Sequence, residues 1–347
     1  MIKNLTILGI IFILFSSNIV FGKCEIPEMP SENEWSEWIN YISKEAKNIG
    51  ISKNIIDKEL VNVRPIKKII LRDRCQPEST MTFKEYLYYR LDKTRIYTGQ
   101  NKIKEYEKEL EIISSTYEIQ SEFIIAIWGL ESYYGKNQGD SKIIPALVTL
   151  SFDKRRSEFY KKQLLAALEI LEKNYANSDL LLGSWAGAMG QVQFLPTTYL
   201  ESAVDFNNDG KKDIWNTKID VFASIANYLT SLEKAPWNNK VSWGIEVIPP
   251  NNIGEIYESL KKENPKGCYA VKTMSKNLSL EAWNKLGFKS KNLKELDYFS
   301  NLEARLVAPD GLDGRFFLVF KNYKSILYYN CSHYYALTVG LLSDEIK

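Results

Sequence analysis

Histidine is almost absent from this 347-residue chain: His333 is the only one. That excludes a zinc site built on several histidines, and a Ser-His-Asp triad would have to use this one position with no nucleophile elbow in view. An excess of one charge sign is missing too. Lys and Arg number 45 against 43 Asp and Glu, a formal +2, which makes no electrostatic case for nucleic acid. Pairs such as Lys67-Lys68 and Lys161-Lys162 read as solvated helix faces. The four cysteines form no CxxC pair, so no cysteine-based metal or redox motif is present. Beyond the first 22 residues no apolar run approaches the roughly 18 residues of a membrane span. No internal repeat and no low-complexity segment occurs.

Residues 1–22 read as a secretory signal: Lys3 supplies the positive start, residues 5–15 the apolar region, and Val20-Phe21-Gly22 a small-residue cleavage site. An exported, soluble chain starting at Lys23 is expected. A lipid anchor at Cys24 is disfavoured, because Lys23 stands where a small residue normally precedes a lipidated cysteine. An even cysteine count in an exported protein points to disulfides. Proximity suggests Cys24 with Cys75 and Cys268 with Cys331, although three connectivities are open.

The chain is organised around residues 121–135, SEFIIAIWGLESYYG. Its apolar part, residues 123–130, is apolar on every face, so as a helix it must be surrounded by protein. Glu131 follows directly. A buried carboxylate either finds a partner or shifts its pKa upward, and the shifted case is the profile of a general acid. Ser132, Tyr133 and Tyr134 add the hydroxyls and aromatic faces of a sugar site. Taken alone, Glu131 fits better a structural acid satisfied by an arginine or by amides, and the rest of the chain moves the balance.

Around it the texture is helical. Residues 23–64 carry an Ser-x-x-Glu cap at Ser31 and Glu34, residues 82–98 an aromatic-rich helix with Arg90 and Arg95, and residues 102–117 and 156–174 amphipathic helices. Arg90 and Arg95 are placed to pair with buried acids or contact substrate. A glycine-dense stretch, GSWAGAMGQVQ at 183–193, lets the backbone approach a ligand closely, with Ser184, Gln191 and Gln193 as hydrogen-bonding groups. No GK[ST] follows it, so it does not cradle phosphate. The loop DFNNDGKKDIWN then follows the calcium-loop template: Asp205, Asn207 and Asp209 at positions 1, 3 and 5, Gly210 at 6, the Lys211 carbonyl at 7 and Asp213 at 9. Position 12 is Asn216 rather than Glu, which leaves Asp220 to complete the shell. The two lysines inside the loop weaken its field. Residues 219–233 return to helix. Beyond Pro236, runs at 241–248, 268–274, 303–308 and 315–320 suggest strands of a small β domain, and the chain becomes helical again near Ser332.

With these pieces in order the chain resembles the lytic murein transglycosylase B family, glycoside hydrolase family 103. The resemblance rests on WGLESYYG around Glu131, ALVTLSFDKRR at 146–156, GSWAGAMGQVQFLPTTY at 183–199, AVDFNNDGKKDIW at 203–215 and FKNYKSILYYNCSHYYALTVGLL at 320–342. It implies an α+β, mainly α fold: a lysozyme-like helical core with an additional helical domain and a small C-terminal β domain. The expected division is a signal peptide at 1–22, a helical domain at 23–115, the catalytic core at 116–238 with the calcium-type loop 205–216, the β domain at 239–325 and a C-terminal helix at 326–347. It also implies cleavage of the MurNAc-GlcNAc bond of peptidoglycan without water, giving a 1,6-anhydro sugar, with Glu131 acting first as acid and then as base. Ser184, Gln193, Tyr228, Tyr329, Asn330 and Tyr335 would line the cleft, with core packing as the competing role for Tyr228 and Tyr335. No cofactor is needed for the chemistry, and a structural Ca²⁺ is expected in the loop. The implied partner is the glycan strand, with other cell-wall enzymes as further partners, for a monomer in the periplasm. Two alternatives stay open: a peptidoglycan-binding module without catalysis, and a hydrolytic muramidase. The muramidase needs a second carboxylate, for which Asp153 is the one to inspect, although Arg155 and Arg156 beside it suggest an ion pair.

Overall fold

A computed structural model describes residues 28–75, 81–260, 262, 268–291, 296 and 301–347; the signal segment 1–22 and Cys24 lie outside them. The first helix, α1 (Glu32–Asn48), starts on the expected cap. The Ser31 hydroxyl accepts from Glu34 N and the Glu34 carboxylate accepts from Ser31 N at 2.8 Å. Helices α2 (Lys53–Glu59) and α3 (Lys67–Arg74) follow. The aromatic segment expected as one helix is two, α4 (Phe83–Arg90) and α5 (Lys93–Glu105). Asp92 is the reason: its carboxylate accepts from Arg95 N at 3.0 Å and caps a new start. Tyr106 then separates α5 from α6 (Glu107–Tyr117).

Next come α7 (Ser121–Ser132), the strand β1 (Ser141–Lys142), α8 (Ile143–Phe152), α9 (Ser157–Glu172) and β2 (Leu182–Gly183), which pairs with β1. After the glycine-dense loop lie α10 (Pro196–Ser202) and α11 (Lys218–Thr230). All eight residues 123–130 are buried. A helix without a polar face has to be wrapped, and α5, α6, α11 and the C-terminal helix do so.

The remaining elements are β3 (Gly244–Ile248), α12 (Ile253–Ser259), α13 (Tyr269–Thr273), β4 (Leu278–Ser279), α14 (Leu280–Lys285), β5 (Lys289–Ser290), β6 (Glu303–Val307), β7 (Phe316–Val319), α15 (Lys321–Tyr329) and α16 (His333–Ile346). The strands form an antiparallel sheet in the order β4-β6-β7-β3-β5. Residues 268–274, read as a strand, are the helix α13. So short a run has no readable period, and its start is tied to the loop between α15 and α16 by the Cys268–Cys331 disulfide, with Ala270 and Val271 buried. Cys75 is disulfide-bonded as well.

β7 explains how the sheet joins the helices. Side chains alternate across a strand: Phe316 and Leu318 enter the sheet's own apolar cluster with Trp283 and Phe288, while Phe317 and Val319 enter the main helical core. Both faces are covered, so the strand reads FFLV without a polar residue. At the same junction Trp243, just before β3, lies flat on α16 where Gly340 has no side chain. A Cβ there would stand 2.2 Å from the indole, whose Nε1 donates to Asp344 at 2.9 Å. Gly340→Ala is expected to destabilise the protein by about 1–3 kcal/mol through overpacking, as measured by urea unfolding. Unchanged stability would show that α16 slides freely over Trp243.

Candidate active site

The last turn of α7 carries Glu131, and what ends the helix also holds the acid in place. Tyr133 and Tyr134 adopt left-handed backbone conformations at φ 52° and 59°, followed by Gly135 at 83°. The amides of Tyr133 and Tyr134 turn back to the Gly129 and Trp128 carbonyls. Gly129 O also accepts from Arg95 Nη1 at 2.5 Å, and the same guanidinium lies 4.7 Å over the Tyr133 ring. The Tyr134 hydroxyl returns a hydrogen bond to Arg95 O at 2.8 Å. Arg95 therefore serves the helix end and not a substrate. On the other side Trp128 Nε1 donates to Gln191 Oε1 at 2.8 Å, and Gln191 Nε2 donates to Trp215 O at 2.5 Å. Gln191 is buried and spends both ends of its amide on the scaffold, joining α7 to the glycine-dense loop.

Glu131 is enclosed except for a partial opening to solvent. Burial pushes its carboxyl from the ordinary 4.5 up to about 7, against a smaller downward pull from the Tyr335 hydroxyl and then from the Arg90 charge. The negative end of the α7 dipole acts in the same upward sense. Tyr335 is buried, and its hydroxyl interacts with Glu131 without reaching the geometry of a full hydrogen bond among the described residues. Burial, and secondly the nearby Glu131 charge, raise the Tyr335 pKa. It thus stays protonated beside the carboxylate.

An aromatic wall stands beside the acid. Tyr329 lies 6.4 Å from Tyr335 in a stacked arrangement, 4.8 Å from Tyr228 and 5.7 Å from Phe194. Its hydroxyl donates to Val192 O at 2.7 Å, and that of Tyr228 to Tyr328 O at 2.5 Å. Both rings are only half-buried, so their faces remain for a ligand while their hydroxyls are used on the backbone. Asn330 is exposed at the end of α15, one residue before the Cys331 disulfide. Gln193, at φ 50°, donates from Nε2 to Gln138 O and Gly190 O. Ser184 Oγ accepts from Ala188 N at 3.0 Å and closes the glycine-dense turn.

Two contributors escaped the sequence reading. Phe194 follows the named Gln193 directly, but its aromatic character resembles core. Tyr86 of α4 feels the Glu131 charge, and only the fold brings it there. Asp153 cannot serve as a second catalytic carboxylate. Its oxygens take a bidentate pair from Arg74 at 2.8 Å and the Arg155 amide at 3.0 Å. Burial alone would raise its pKa, yet these donors hold it below the usual range. Arg155 and Arg156 pair instead with the buried Asp73. His333 is engaged at both ring nitrogens, by the Tyr323 and Thr273 hydroxyls at 2.8 Å, and burial lowers it to about 4.

In the 205–220 loop the Asp205 oxygens accept from Asp209 N and Gly210 N at 3.1 and 2.8 Å, and Asp213 Oδ1 accepts from Trp215 N at 2.9 Å. Asn207 Oδ1 accepts from Asp209 N, and Asp209 Oδ1 from Lys211 N. Asp220, fully buried, holds the amides of Phe206 and Asp213. Among the described residues no three acidic, His or Cys side chains gather as a metal cluster.

Comparison with known proteins bears on the family and the fold. The family model described as "Transglycosylase SLT domain" matches residues 34–344. The membrane-bound lytic murein transglycosylase B of Escherichia coli (strain K12) is 38% identical over 125 residues, which are 36% of this chain and 34% of that protein; the match spans about a third of the curated relative's length. SltB3 of Pseudomonas aeruginosa, solved in complex with NAG-anhNAM-pentapeptide and with NAG-NAM-pentapeptide, superposes with a TM-score of 0.81 at 36% identity, covering 90% of this chain and 79% of that one. SLT35 of E. coli, solved with calcium, shares the fold with a TM-score of 0.70 at 23% identity over 92% and 95% of the two chains. The α+β, mainly helical architecture is that of the lysozyme-like lytic transglycosylases.

The raised Glu131 pKa has a consequence for stability. The native state keeps this proton to about pH 7, whereas an ordinary Glu loses it near 4.5, so native stability falls as pH rises between those values. Glu131→Gln removes that loss. The variant is expected to exceed the parent by about 2–3 kcal/mol at pH 8 and to match it at pH 4, as measured by urea unfolding. A pH-independent difference would show that Glu131 is not shifted.

Proposed function

The chain belongs to the transglycosylase SLT domain family, whose model spans residues 34–344, and from that premise we propose that it is a lytic transglycosylase that cleaves the β-1,4 MurNAc-GlcNAc bond of peptidoglycan. The observation that carries the reading is the half-enclosed Glu131, poised near pH 7 beside an aromatic wall. A group with that pKa exchanges protons in both directions at neutral pH. As acid, Glu131 gives its proton to the glycosidic oxygen, and the bond from that oxygen to C1 of MurNAc breaks. As carboxylate, it then takes the proton of the C6 hydroxyl while O6 bonds to C1. The products are a free 4-hydroxyl on GlcNAc and a 1,6-anhydro-MurNAc end, and the acid is regenerated.

No second carboxylate enters this sequence. A hydrolase would require one to activate water or to form a covalent intermediate, and Asp153 is locked on Arg74. A binding module without catalysis would have no use for an acid kept at the edge of ionisation. The nearby Tyr335 hydroxyl favours the carboxylate form. Tyr228 and Tyr329 offer ring faces to the sugars, and Gln193, Ser184 and Asn330 border them. Export to the periplasm by residues 1–22, a monomeric state and other cell-wall enzymes as partners belong to the same reading. Among the described residues no helix is long and apolar enough to cross a membrane.

The 205–220 loop offers only oxygen donors, which suit a hard cation. In this reading Ca²⁺ is held by Asp205, Asn207, Asp209, the Lys211 carbonyl and Asp213, while Asp220, expected from the sequence to complete the shell, instead braces the loop by accepting from the Phe206 and Asp213 amides. Its role is structural. Added Ca²⁺ is expected to raise the melting temperature of EDTA-treated protein, with Asp205→Ala abolishing the shift; equal melting with and without Ca²⁺ would overturn the site.

For the reaction itself, digestion of purified peptidoglycan should give anhydro-muropeptides by mass spectrometry, and Glu131→Gln should cut turnover by at least about 10²–10⁴-fold while substrate binding persists. Muramic acid with a free reducing end as the main product would establish a hydrolase instead.

A further inference from the structure

α15 carries more than the tyrosine at its end. Lys321 and Lys324 are three residues apart and share a face of the helix. With Lys234, just beyond α11, and Arg305 of β6 they line a cavity of about 470 Å³ at the junction of the helices and the sheet, where Glu303 is the one carboxylate among the described residues of the lining. Glu303 is engaged by Asn277 Nδ2 at 2.9 Å. No carboxylate of the described residues pairs with Lys234, Lys321 or Lys324. Three lysines without a carboxylate partner among the described residues, set in one concave site, make a locus for anions.

The walls are rigid and partly apolar. Asn322, fully buried beneath Lys321, donates to Asn238 O at 2.8 Å and Val241 O at 2.6 Å and accepts from Asn238 N at 2.8 Å. Ser325 Oγ donates to Ala235 O at 2.6 Å. The lysines thus project from a backbone that needs no ordering when an anion arrives. Val241 and Phe320 add apolar surface suited to small methyl groups.

Position decides which anion. At about 1.5 Å per residue, Lys324 lies roughly 7–8 Å and Lys321 roughly 12 Å along α15 from Tyr329. An extended peptide covers about 3.3–3.6 Å per residue, so two to four residues bridge that span. We propose that this cavity binds the free carboxylates of the peptide stem carried by a glycan strand seated at Tyr329 and Asn330. The inference rests on the peptidoglycan reading above and extends it to substrate selection. Stem-bearing strands are held by their sugars at the tyrosines and by their carboxylates at the lysines.

The test compares the full enzyme with K321Q/K324Q on glycan strands that retain their stems and on strands stripped of them by amidase. On stem-bearing strands the double variant is expected to raise KM about tenfold, the loss of about 1.4 kcal/mol, with kcat unchanged, and K321R/K324R should restore most of it. On stripped strands both variants should match the parent. Equal effects on the two substrates, or none on either, would overturn the proposal. So would unchanged affinity of the double variant for a synthetic muramyl tripeptide by calorimetry, or tighter binding of inorganic phosphate than of that peptide. Failure of the parent to form anhydro products from stem-bearing strands would instead count against the transglycosylase reading, and the calorimetric comparison would still decide the stem site.

Discussion

The carboxyl of Glu131 sits at the C-terminal end of a helix that has no polar face, and most of the molecule follows from accommodating it. A helix so apolar can exist only when wrapped, so α5, α6, α11 and α16 close around α7. Its last carbonyls would otherwise stay unpaired. Three consecutive left-handed residues and the Arg95 guanidinium satisfy them. The same burial that forces this packing raises the acid to about 7. Packing and reactivity here share one cause.

The other wall of the site comes from far along the chain. Tyr329, Asn330 and Tyr335 lie where α15 turns into α16, and this turn is stapled to α13 by Cys268–Cys331. β7 buries one face in the sheet's own cluster and the other in the helical core. The sheet consequently holds α15 and α16 at a set position against α7. Trp243 resting on Gly340 makes the same connection by shape. A mostly helical protein thus uses a small sheet to position its tyrosines, and a cavity lined by lysines lies at their junction.

Several assignments were legible in one dimension because the responsible physics is local. The cap at Ser31, the all-round apolar run of α7 and the alternation-free β7 all announce their environments in composition and spacing. The split of residues 82–105 at Asp92 was missed because an Asp is as common on a helix surface as at a cap, and its choice depends on what the preceding helix packs against. The helix at Tyr269–Thr273 was missed because five residues carry no readable period, and a disulfide 63 residues away sets their path.

The sequence by itself determined that an acid follows a helix apolar on every face and that a single histidine cannot build a multi-histidine centre, while it suggested the pairing of Cys268 with Cys331 by proximity among three open connectivities. Those are properties of residue type and order. Only the tertiary structure decided that Asp153 belongs to Arg74, that Gln191 and Arg95 serve the scaffold, and that Tyr335 is the hydroxyl beside Glu131. Each depends on groups from distant segments reaching within about 3 Å or on the depth at which a charge is buried. Neither distance nor depth is written in the order of the residues.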